Sequence, residues 1–282
     1  GCKYSMIFNL SKTIFKKNQF VTSHFKFHLM ILTIDVGNSR IKAAVFEDNT
    51  LVELYVFEKK ELQKKFSKIL KKHSNITNLV VSSVGNASES EFLKWENDLK
   101  IDFVSHKTQF PFKNLYETPL TLGIDRMVLA AGAVLQFPNS NRLVIDAGTC
   151  ITYDFIDEND NYLGGGISPG FRLRYEALHQ FTAKLPLLSL NEIDKNGAVD
   201  DAPKLIGNST QQSIHSGVIN GLVNEINGFI GQYESQYSKF IIILTGGDTD
   251  FLAMRLKNTI FANRNFLLES LNQTYQYNIK ND

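Results

Sequence analysis

Two short segments of the sequence repeat one arrangement of chemical groups: a carboxylate, a glycine, and then amide or hydroxyl side chains. Residues 35–39 read Asp-Val-Gly-Asn-Ser, and residues 146–149 read Asp-Ala-Gly-Thr. The glycine lets the backbone approach a ligand closely, backbone amides in such turns bind anions, and the carboxylate can hold a cation. Two such loops facing one another would suit a nucleoside triphosphate with its metal ion. A single copy is better explained as an ordinary hairpin turn, so it is the repeat that favours a binding site.

Two further groups of residues could complete such a site. Lys42 follows the first loop and could contact a phosphate as a point charge, or could be an ordinary surface lysine. Residues 123–126 read Gly-Ile-Asp-Arg at the start of an apolar helix, where Asp125 could act as a base and Arg126 as a clamp for an anion. The alternative for this segment is an N-capping aspartate beside a solvated arginine.

The elements that position these residues follow from the hydrophobic pattern. Each Asp-Gly loop joins two β-rich runs, within residues 30–46 and 142–156, and is therefore predicted to connect two strands. Apolar runs predict further strands at 79–84, 101–104 and 240–244, and helical spacing predicts helices at 58–74, 88–99, 124–137, 171–181 and 250–257. The predicted fold class is α/β, with two similar halves that each begin with a hairpin.

A cluster of turn-forming residues at 138–141 separates the two halves. We therefore predict an N-terminal domain over residues 30–138 and a C-terminal domain over residues 139–282. Residues 1–29 contain five lysines and no acidic residue, and Met30 directly precedes the first strand pattern. This extension is interpreted as a tag, an upstream read-through or a disordered segment, and we expect its removal to leave activity intact.

Composition places the chain among ordinary globular proteins and excludes several classes. It has 282 residues, of which 43% are hydrophobic, and its 30 basic and 29 acidic residues give a net charge of +1. This balance argues against nucleic acid or an anionic membrane as a partner, and no apolar run reaches the roughly 20 residues that span a bilayer. Cys2 and Cys150 match no metal-ligand spacing and cannot form a disulfide framework, which favours a reducing, cytoplasmic compartment.

Several common catalytic motifs do not occur in the sequence. It has no Walker A loop, no Gly-x-Ser-x-Gly elbow and no His-Glu-x-x-His helix, which argues against P-loop, common hydrolase and zincin chemistry. The glycine-rich residues 164–170 do not follow the spacing of a dinucleotide-binding loop, so NAD is excluded. Residues 245–247, Thr-Gly-Gly, could pass close to an adenine or a ribose, or could be a simple turn.

The ordered set of motifs resembles the superfamily of acetate and sugar kinases, heat-shock 70 proteins and actin. Within it, the chain is similar to the type III pantothenate kinase family from Met30 to about Lys257. The similar segments are residues 35–42, 116–119, 123–126, 146–149, 164–170, 182–186, 206–207 with Thr210, and 245–247. The departures are small: Ser39 stands where threonine is common in the family, and Cys150 follows the second loop.

The resemblance implies a fold and an activity. The fold would be two related ribonuclease H-like domains, as in actin-like ATPases, with the ATP site in the cleft between them. The activity would be ATP-dependent phosphorylation of pantothenate to 4′-phosphopantothenate, the first step of coenzyme A biosynthesis, in a bacterial cytoplasm. The implied cofactors are Mg²⁺ with the ATP and a monovalent cation, potassium or ammonium, and the implied assembly is a homodimer.

The resemblance also implies a role for individual residues. Asp125 would be the proton acceptor, and Asp146 would hold the monovalent cation. The residues implied in ATP binding are Asp35, Val36, Gly37, Asn38, Ser39, Arg40, Ile41, Lys42 and Thr149. Those implied in pantothenate binding are Tyr116, Gly123, Ile124, Asp125, Arg126 and Thr210. Of these, Thr210 would reach the pantothenate bound to the partner subunit.

Two alternatives stay open on the sequence. One is another small-molecule kinase of the same superfamily, acting on a sugar or an acyl substrate, which a panel of substrates would distinguish. The other is a non-catalytic, ATP-binding regulatory protein with the same fold. The intact carboxylates of Asp35, Asp125 and Asp146 argue against an inactive relative.

Overall fold

The computed structural model describes residues 28–37, 40–83, 89–190 and 203–281 of the chain. Within these ranges the backbone forms two β-sheets with helices packed against them, which confirms the α/β fold class. Of the predicted 1–29 extension, only His28 and Leu29 lie within the described residues. Asn38 and Ser39 of the first loop lie outside them.

The first sheet contains the strands β1 (Met30–Val36), β2 (Ile41–Glu47), β3 (Thr50–Phe57), β4 (Asn78–Ser83) and β5 (Lys100–Phe103). Their spatial order is β3-β2-β1-β4-β5, with β1, β2 and β3 antiparallel and with β4 and β5 parallel to β1. The central strand β1 is buried along its whole length, which explains its nearly unbroken apolar run. The edge strand β3 instead alternates between exposed and half-buried residues.

The second sheet contains the strands β6 (Lys113–Asn114), β7 (Arg142–Ala147), β8 (Cys150–Ile156), β9 (Asn161–Pro169), β10 (Ile241–Thr245) and β11 (Phe261–Ala262). Their order is β11-β10-β7-β8-β9-β6, with β7, β8 and β9 antiparallel and with β10 and β11 parallel to β7. Apart from β6, the order and directions repeat those of the first sheet. The internal repeat seen in the two loops therefore extends over five strands of each sheet.

The glycine-rich residues near 164–170 belong mainly to strand β9, where the sequence suggested only a segment before a helix. The close approach of β8 explains the glycines. A Cβ atom at Gly165 would lie 1.5 Å from the carbonyl oxygen of Tyr153 on β8, so a larger residue could not pair there. Gly164 has a φ of +104°, a conformation that other residues rarely adopt.

The helices of the described residues are α1 (Leu62–Lys72), α2 (Ser90–Leu93), α3 (Ile124–Gln136), α4 (Phe171–Gln180), α5 (Thr210–Gln236), α6 (Thr249–Ala253) and α7 (Phe266–Asn281). The predictions of α1, α3 and α4 are confirmed. The helix predicted at 88–99 is reduced to the single turn α2 and following turns, and the one predicted at 250–257 is the short α6. The sequence analysis does not predict α5 or α7. None of the helices in the described ranges is long and apolar enough to cross a membrane.

Two of these helices lie between the sheets and join them. Helix α3 follows the first sheet along the chain but packs against β7 and β8 of the second, whereas α7 follows the second sheet but packs against β1, β2 and β4 of the first. The two helices also pack against each other. This position explains why α3 is buried from Arg126 to Val134 and why its residues are mostly small or apolar. The domain boundary between residues 138 and 139 stays a prediction.

At Gly132, helices α3 and α7 approach each other closely. A Cβ atom at this position would lie 1.8 Å from Ser270 Oγ and 2.5 Å from Ser270 Cβ. We expect Gly132→Ala to lower the free energy of unfolding by about 1–3 kcal/mol, as overpacking does, although alanine favours helix. Gly231→Ala in α5, where nothing lies within 4 Å of the added methyl, should raise it by about 0.5–1 kcal/mol. Urea unfolding measures both, and a Gly132→Ala variant at least as stable as the unmodified chain would contradict this packing.

Candidate functional site

The first loop places a buried carboxylate beside a lysine. Asp35 is the next-to-last residue of β1 and pairs across the hairpin with Lys42 of β2. Residues directly opposite one another in an antiparallel pair project to the same face of the sheet, so the two side chains are neighbours. Asp35 is only 6% exposed, and its Oδ1 atom accepts no hydrogen bond from any described residue. A buried carboxylate oxygen of this kind is a position for a ligand or a cation.

The second loop repeats this arrangement without the lysine. Asp146 is the next-to-last residue of β7 and pairs across its hairpin with Thr152 of β8, so Thr152 occupies the place that Lys42 has in the first hairpin. The two aspartates therefore lie at equivalent positions, near the ends of the central strands of two sheets with the same topology. Thr149 lies in the turn between β7 and β8, where its carbonyl oxygen accepts a hydrogen bond of 3.0 Å from the amide of Gly170.

Three carboxylates, those of Asp35, Asp125 and Asp146, are linked by their effects on pKa values. The pKa of Asp35 is raised to about 7, mainly by burial and also by the charges of Asp125 and Asp146, while the charge of Lys42 acts in the opposite direction. Burial likewise raises the pKa of Asp146 to about 7, with Asp125 as the next cause and Lys42 again opposing. The structure thus brings together Asp35, Lys42, Asp125 and Asp146, which lie far apart in the sequence. Their acidic charge exceeds that of the lysine, which favours a bound cation.

Asp125 lies in the first turn of α3 and is partly exposed. Its Oδ1 atom accepts a hydrogen bond of 2.9 Å from the backbone amide of Arg126. The preceding Gly123 leaves room for this carboxylate, because a Cβ atom there would lie 2.4 Å from Asp125 Oδ1. The helix begins after Gly123 without a side-chain cap, so the alternative of an N-capping aspartate is wrong.

Arg126 is buried rather than solvated. It is 6% exposed, and its guanidinium is 2.9 Å through Nε and 2.7 Å through Nη2 from Oδ1 of Asp154, a fully buried residue of β8. The sequence analysis does not identify Asp154. Burial raises the pKa of Asp154, while the guanidinium of Arg126 and the hydroxyls of Tyr162 and Thr152 act in the opposite direction. The only signal for it in the sequence is an acidic residue within an otherwise apolar strand.

Tyr116 lies beside this arginine, as the resemblance implies. Its ring centroid is 5.8 Å from Cζ of Arg126, within the range of a cation–π contact. Gly164 of β9 makes space for the tyrosine, since a Cβ atom there would lie 3.3 Å from Tyr116 Cδ2. Tyr116, Arg126 and Asp125 thus form one continuous group at the start of α3.

A further carboxylate, Asp248, belongs to the same environment and was not assigned by the sequence analysis. Burial raises its pKa to about 6, and Lys42 opposes the shift. Its backbone amide donates a hydrogen bond of 3.0 Å to the carbonyl oxygen of Ala147. The turn before it approaches Asp146 so closely that a Cβ atom at Gly246, which has a φ of +100°, would lie 2.4 Å from Asp146 Oδ1. The Thr-Gly-Gly turn therefore closes one side of the site.

The other residues implied in ATP binding differ in whether their side chain or only their backbone could contact a ligand. Val36 and Ile41 are buried in the core of the first sheet at 0% and 1% exposure, so only their backbone could face a ligand. Arg40 is exposed, and its carbonyl oxygen accepts a hydrogen bond of 3.2 Å from the amide of Gly37, which closes the turn. Ile124, which is implied in pantothenate binding, is the first residue of α3 and packs partly buried against the apolar core. Asn38 and Ser39 lie outside the described residues.

Thr210 is not part of this group. It is the exposed first residue of α5 and lines a cleft of about 760 Å³ together with Leu178, Leu185 and residues 207–209, 213, 214 and 217. None of the carboxylates Asp35, Asp125 and Asp146 lines this cleft. Within one chain, none of the other residues implied in pantothenate binding lines this cleft.

The carboxylates suit a metal ion that is shared with a substrate. In the described ranges, no three His, Cys, Asp or Glu side chains are arranged to hold a metal ion by themselves. Mg²⁺ in nucleotide sites is usually bound by one or two carboxylates together with phosphates and waters. The free Oδ1 atom of the buried Asp35 and the acidic surroundings of Asp146 fit such an ion.

Two solved structures share the fold. One, from Campylobacter jejuni and assigned to the Baf family of transcriptional activators, has a TM-score of 0.56 at 20% identity, covering 88% of this chain and 99% of its own. The other, from Listeria monocytogenes and assigned as an N-acetylmannosamine kinase, has a TM-score of 0.54 at 12% identity, covering 89% of this chain and 100% of its own. At these identities the likeness shows the fold alone. The two structures support a fold built on two related sheets.

The chain belongs to the type III pantothenate kinase family, whose model matches residues 31–232. A type III pantothenate kinase from Flavobacterium johnsoniae is 65% identical over 90% of this chain and 100% of its own length. Another, from Flavobacterium psychrophilum, is 58% identical over 88% of this chain and 99% of its own. The resemblance stated from the sequence is confirmed, and with it the prediction that the chain is an enzyme, a pantothenate kinase.

Proposed function

We propose that the chain transfers the γ-phosphoryl group of ATP to the primary hydroxyl of pantothenate and forms 4′-phosphopantothenate, the first step of coenzyme A biosynthesis. The observation that carries this proposal is the convergence of Asp125 with Asp35, Asp146 and Lys42. A base, a phosphate-binding lysine and carboxylates for a cation are what phosphoryl transfer requires, because the protein mainly positions the reactants and neutralises charge. The reaction would take place in the bacterial cytoplasm.

In this proposal ATP lies between the two sheets, which form two related domains, and its phosphates meet the first loop. Lys42 supplies the positive charge, the backbone of residues 36–41 supplies amides, and Thr149 contacts the nucleotide from the second loop. Asp35 would hold Mg²⁺ with the phosphates, and Asp146 would hold a potassium or ammonium ion. When bound, these cations supply charge neutralisation for the triphosphate.

Asp125 is the proposed proton acceptor. Its partly exposed carboxylate, fixed at Oδ1 by the amide of Arg126, faces the same environment as the phosphate-binding residues. As the primary hydroxyl of pantothenate attacks the γ-phosphorus, its proton passes to the Asp125 carboxylate, and ADP leaves. Tyr116 and residues 123–126 would hold the pantothenate in place.

Thr210 would complete the acceptor site of a second subunit, so the proposed enzyme is a homodimer. The support for this is its position: it lies on the surface at the start of α5, in a cleft that the carboxylates of its own chain do not line. Sedimentation of the chain would measure the assembly, and a monomeric enzyme with full activity would contradict a role for Thr210 in a shared site.

The proposed substrate is tested with a panel of acceptors. The full chain is incubated with Mg-ATP and pantothenate, or with sugars and acyl compounds, and ADP release and the mass of the product are measured. We expect turnover with pantothenate and a product heavier by one phosphoryl group. Faster turnover of a sugar or an acyl compound would favour another kinase of the superfamily, and binding of ATP without any turnover would favour a regulatory protein.

Arg126→Lys is expected mainly to raise the KM for pantothenate. Lysine keeps the positive charge but loses the planar guanidinium that contacts Asp154 through two nitrogens, so the acceptor site loses its fixed geometry. Arg142→Lys is a matched control, because Arg142 of β7 is likewise a buried arginine that pairs with an aspartate, Asp160, at 2.8 Å. Steady-state kinetics with varied pantothenate measures both variants, and an unchanged KM in Arg126→Lys would count against a role in acceptor binding.

A further inference from the structure

A buried polar network lies behind the acceptor residues. Asp154 of β8 is 0% exposed. Its Oδ1 atom accepts hydrogen bonds from Arg126 Nε at 2.9 Å and from the Tyr162 hydroxyl at 2.5 Å, and its Oδ2 atom accepts one from Thr152 Oγ1 at 3.1 Å. Both carboxylate oxygens are thus occupied by the protein itself. Asp154 consequently binds side chains of the protein rather than a ligand.

The charges of this network depend on one another. A buried carboxylate without a cation is strongly unfavourable, and so is a buried guanidinium without an anion. Arg126 makes the ion pair with Asp154 at 2.7 Å, with both side chains nearly inaccessible to water. The guanidinium is therefore confined to one position. Because Arg126 follows Asp125 directly in the first turn of α3, that position also constrains the backbone that carries the proposed base.

The network also reaches the cation-binding hairpin. Thr152 donates to Asp154 and lies directly opposite Asp146 across the pairing of β7 with β8. In the first hairpin the equivalent place is taken by Lys42, which faces the ligand site. In the second hairpin this place is taken by Thr152, whose hydroxyl instead donates a hydrogen bond to the buried carboxylate of Asp154. Asp154 thereby links the start of α3 to the strand pair that presents Asp146.

We propose that Asp154 is the positioning residue of the acceptor site: it fixes the guanidinium of Arg126, and through it the first turn of α3, before the substrate binds. The inference rests on the proposed function, because it concerns the acceptor of that reaction. Asp154 acts through Arg126 and does not touch the substrate. Its loss should therefore change the use of pantothenate and leave nucleotide binding unaffected.

The main test compares Asp154→Asn with Asp160→Asn. Each variant removes the carboxylate partner of a buried arginine: Asp154 pairs with Arg126 of α3, whereas Asp160 pairs with Arg142 of β7. Asp160 has a φ of +59°, which asparagine tolerates. We expect Asp154→Asn to lower kcat/KM for pantothenate about 10- to 100-fold, because small displacements of a bound reactant have such effects. The KM for ATP should stay within about twofold, and Asp160→Asn should change neither constant by more than that.

A second pair of variants keeps the charges in place and avoids a failure to fold. Tyr162→Phe removes the hydroxyl that donates to Asp154, whereas Tyr153→Phe removes a similar hydroxyl that donates to Glu225 at 3.1 Å. We expect only Tyr162→Phe to raise the KM for pantothenate, by about 3- to 10-fold, which is the size of the typical net contribution of one hydrogen bond. Equal effects of the two variants would overturn the inference.

A double-mutant cycle shows whether Asp154 acts through Arg126. If it does, Asp154→Asn should add little to the effect of Arg126→Gln on kcat/KM for pantothenate. Additive effects, or a value for Asp154→Asn equal to that of Asp160→Asn, would overturn the positioning role while the proposed function stands. If the unmodified chain does not turn over pantothenate, the proposed function and the inference fail together.

Discussion

Replacement of Asp125 by asparagine is expected to lower kcat about 10²- to 10⁴-fold while leaving ATP binding nearly unchanged. Asparagine has almost the same shape and can still accept the hydrogen bond from the amide of Arg126. It cannot accept the proton of the attacking hydroxyl, so the loss should appear in turnover rather than in binding. Single-turnover kinetics and calorimetric titration with ATP measure the two quantities separately.

A suitable control for this variant is Asp250→Asn, which removes a carboxylate whose side chain is 73% exposed. This variant should behave like the unmodified chain in both measurements. If Asp125→Asn keeps full turnover, the assignment of the base is wrong. If it loses ATP binding as well, Asp125 serves the nucleotide rather than the acceptor.

Asp35→Asn is expected to inactivate the enzyme and to stabilise its fold at the same time. Asp35 is buried, and its pKa is raised from 3.8 to about 7. Between these values the folded chain binds a proton that the unfolded chain does not, so the free energy of unfolding falls as the pH rises through this window. At pH 8 the ligand-free protein holds a buried negative charge that Lys42 compensates only in part. A rise in pKa from 3.8 to about 7 corresponds to about 4 kcal/mol, so removing this charge should raise the free energy of unfolding by up to that amount.

The pH dependence identifies the cause of that stabilisation. The gain from Asp35→Asn should be full above pH 7 and should shrink as the pH falls from about 7 to about 4, where the carboxyl is protonated in the folded state. Asp157→Asn should have the opposite effect on stability, because the pKa of Asp157 is lowered rather than raised. Although burial opposes the shift, hydrogen bonds from Asn161 and Asn159 lower the pKa of Asp157, so its replacement should destabilise the protein above its pKa. Urea unfolding at pH 5 and pH 8 compares the two variants.

The loss of activity in Asp35→Asn should be about 100-fold or more in kcat/KM, because the variant lacks the charge that we propose to act on the phosphates and their cation. The stabilisation makes this loss interpretable, since a more stable protein cannot be inactive through unfolding. A variant that is active, or one that is less stable at pH 8 than the unmodified chain, would contradict the account of Asp35.

The features that the sequence predicts are those encoded by neighbouring residues. Each Asp-Gly loop lies between two apolar runs, so its place at the end of a hairpin follows from local pattern. Helix α3 is recognisable because its residues from Met127 to Leu135 are all small or apolar. The link between Asp154 and Arg126 could not be predicted in this way, because it depends on how β8 packs against a helix from the other half.

The elements that were missed are those in which tertiary packing overrides local preference. Helix α5 contains four glycines, which lower helix propensity, and forms because it buries Ile214, Leu222, Ile226 and other apolar residues against the second sheet. The glycines of β9 are unfavourable in a strand by themselves and are needed for the close approach of β8. Helix α7 returns to the first sheet, which no local pattern at residues 266–281 indicates.

The central claim is that the two related loops and Asp125 form a site for phosphoryl transfer to pantothenate. The most direct test measures ADP release by the full chain with Mg-ATP, with and without pantothenate, in potassium, ammonium or sodium salts. The account predicts release that requires pantothenate and is faster in potassium or ammonium than in sodium. A folded chain that binds ATP and releases no ADP with pantothenate under any of these conditions would contradict it.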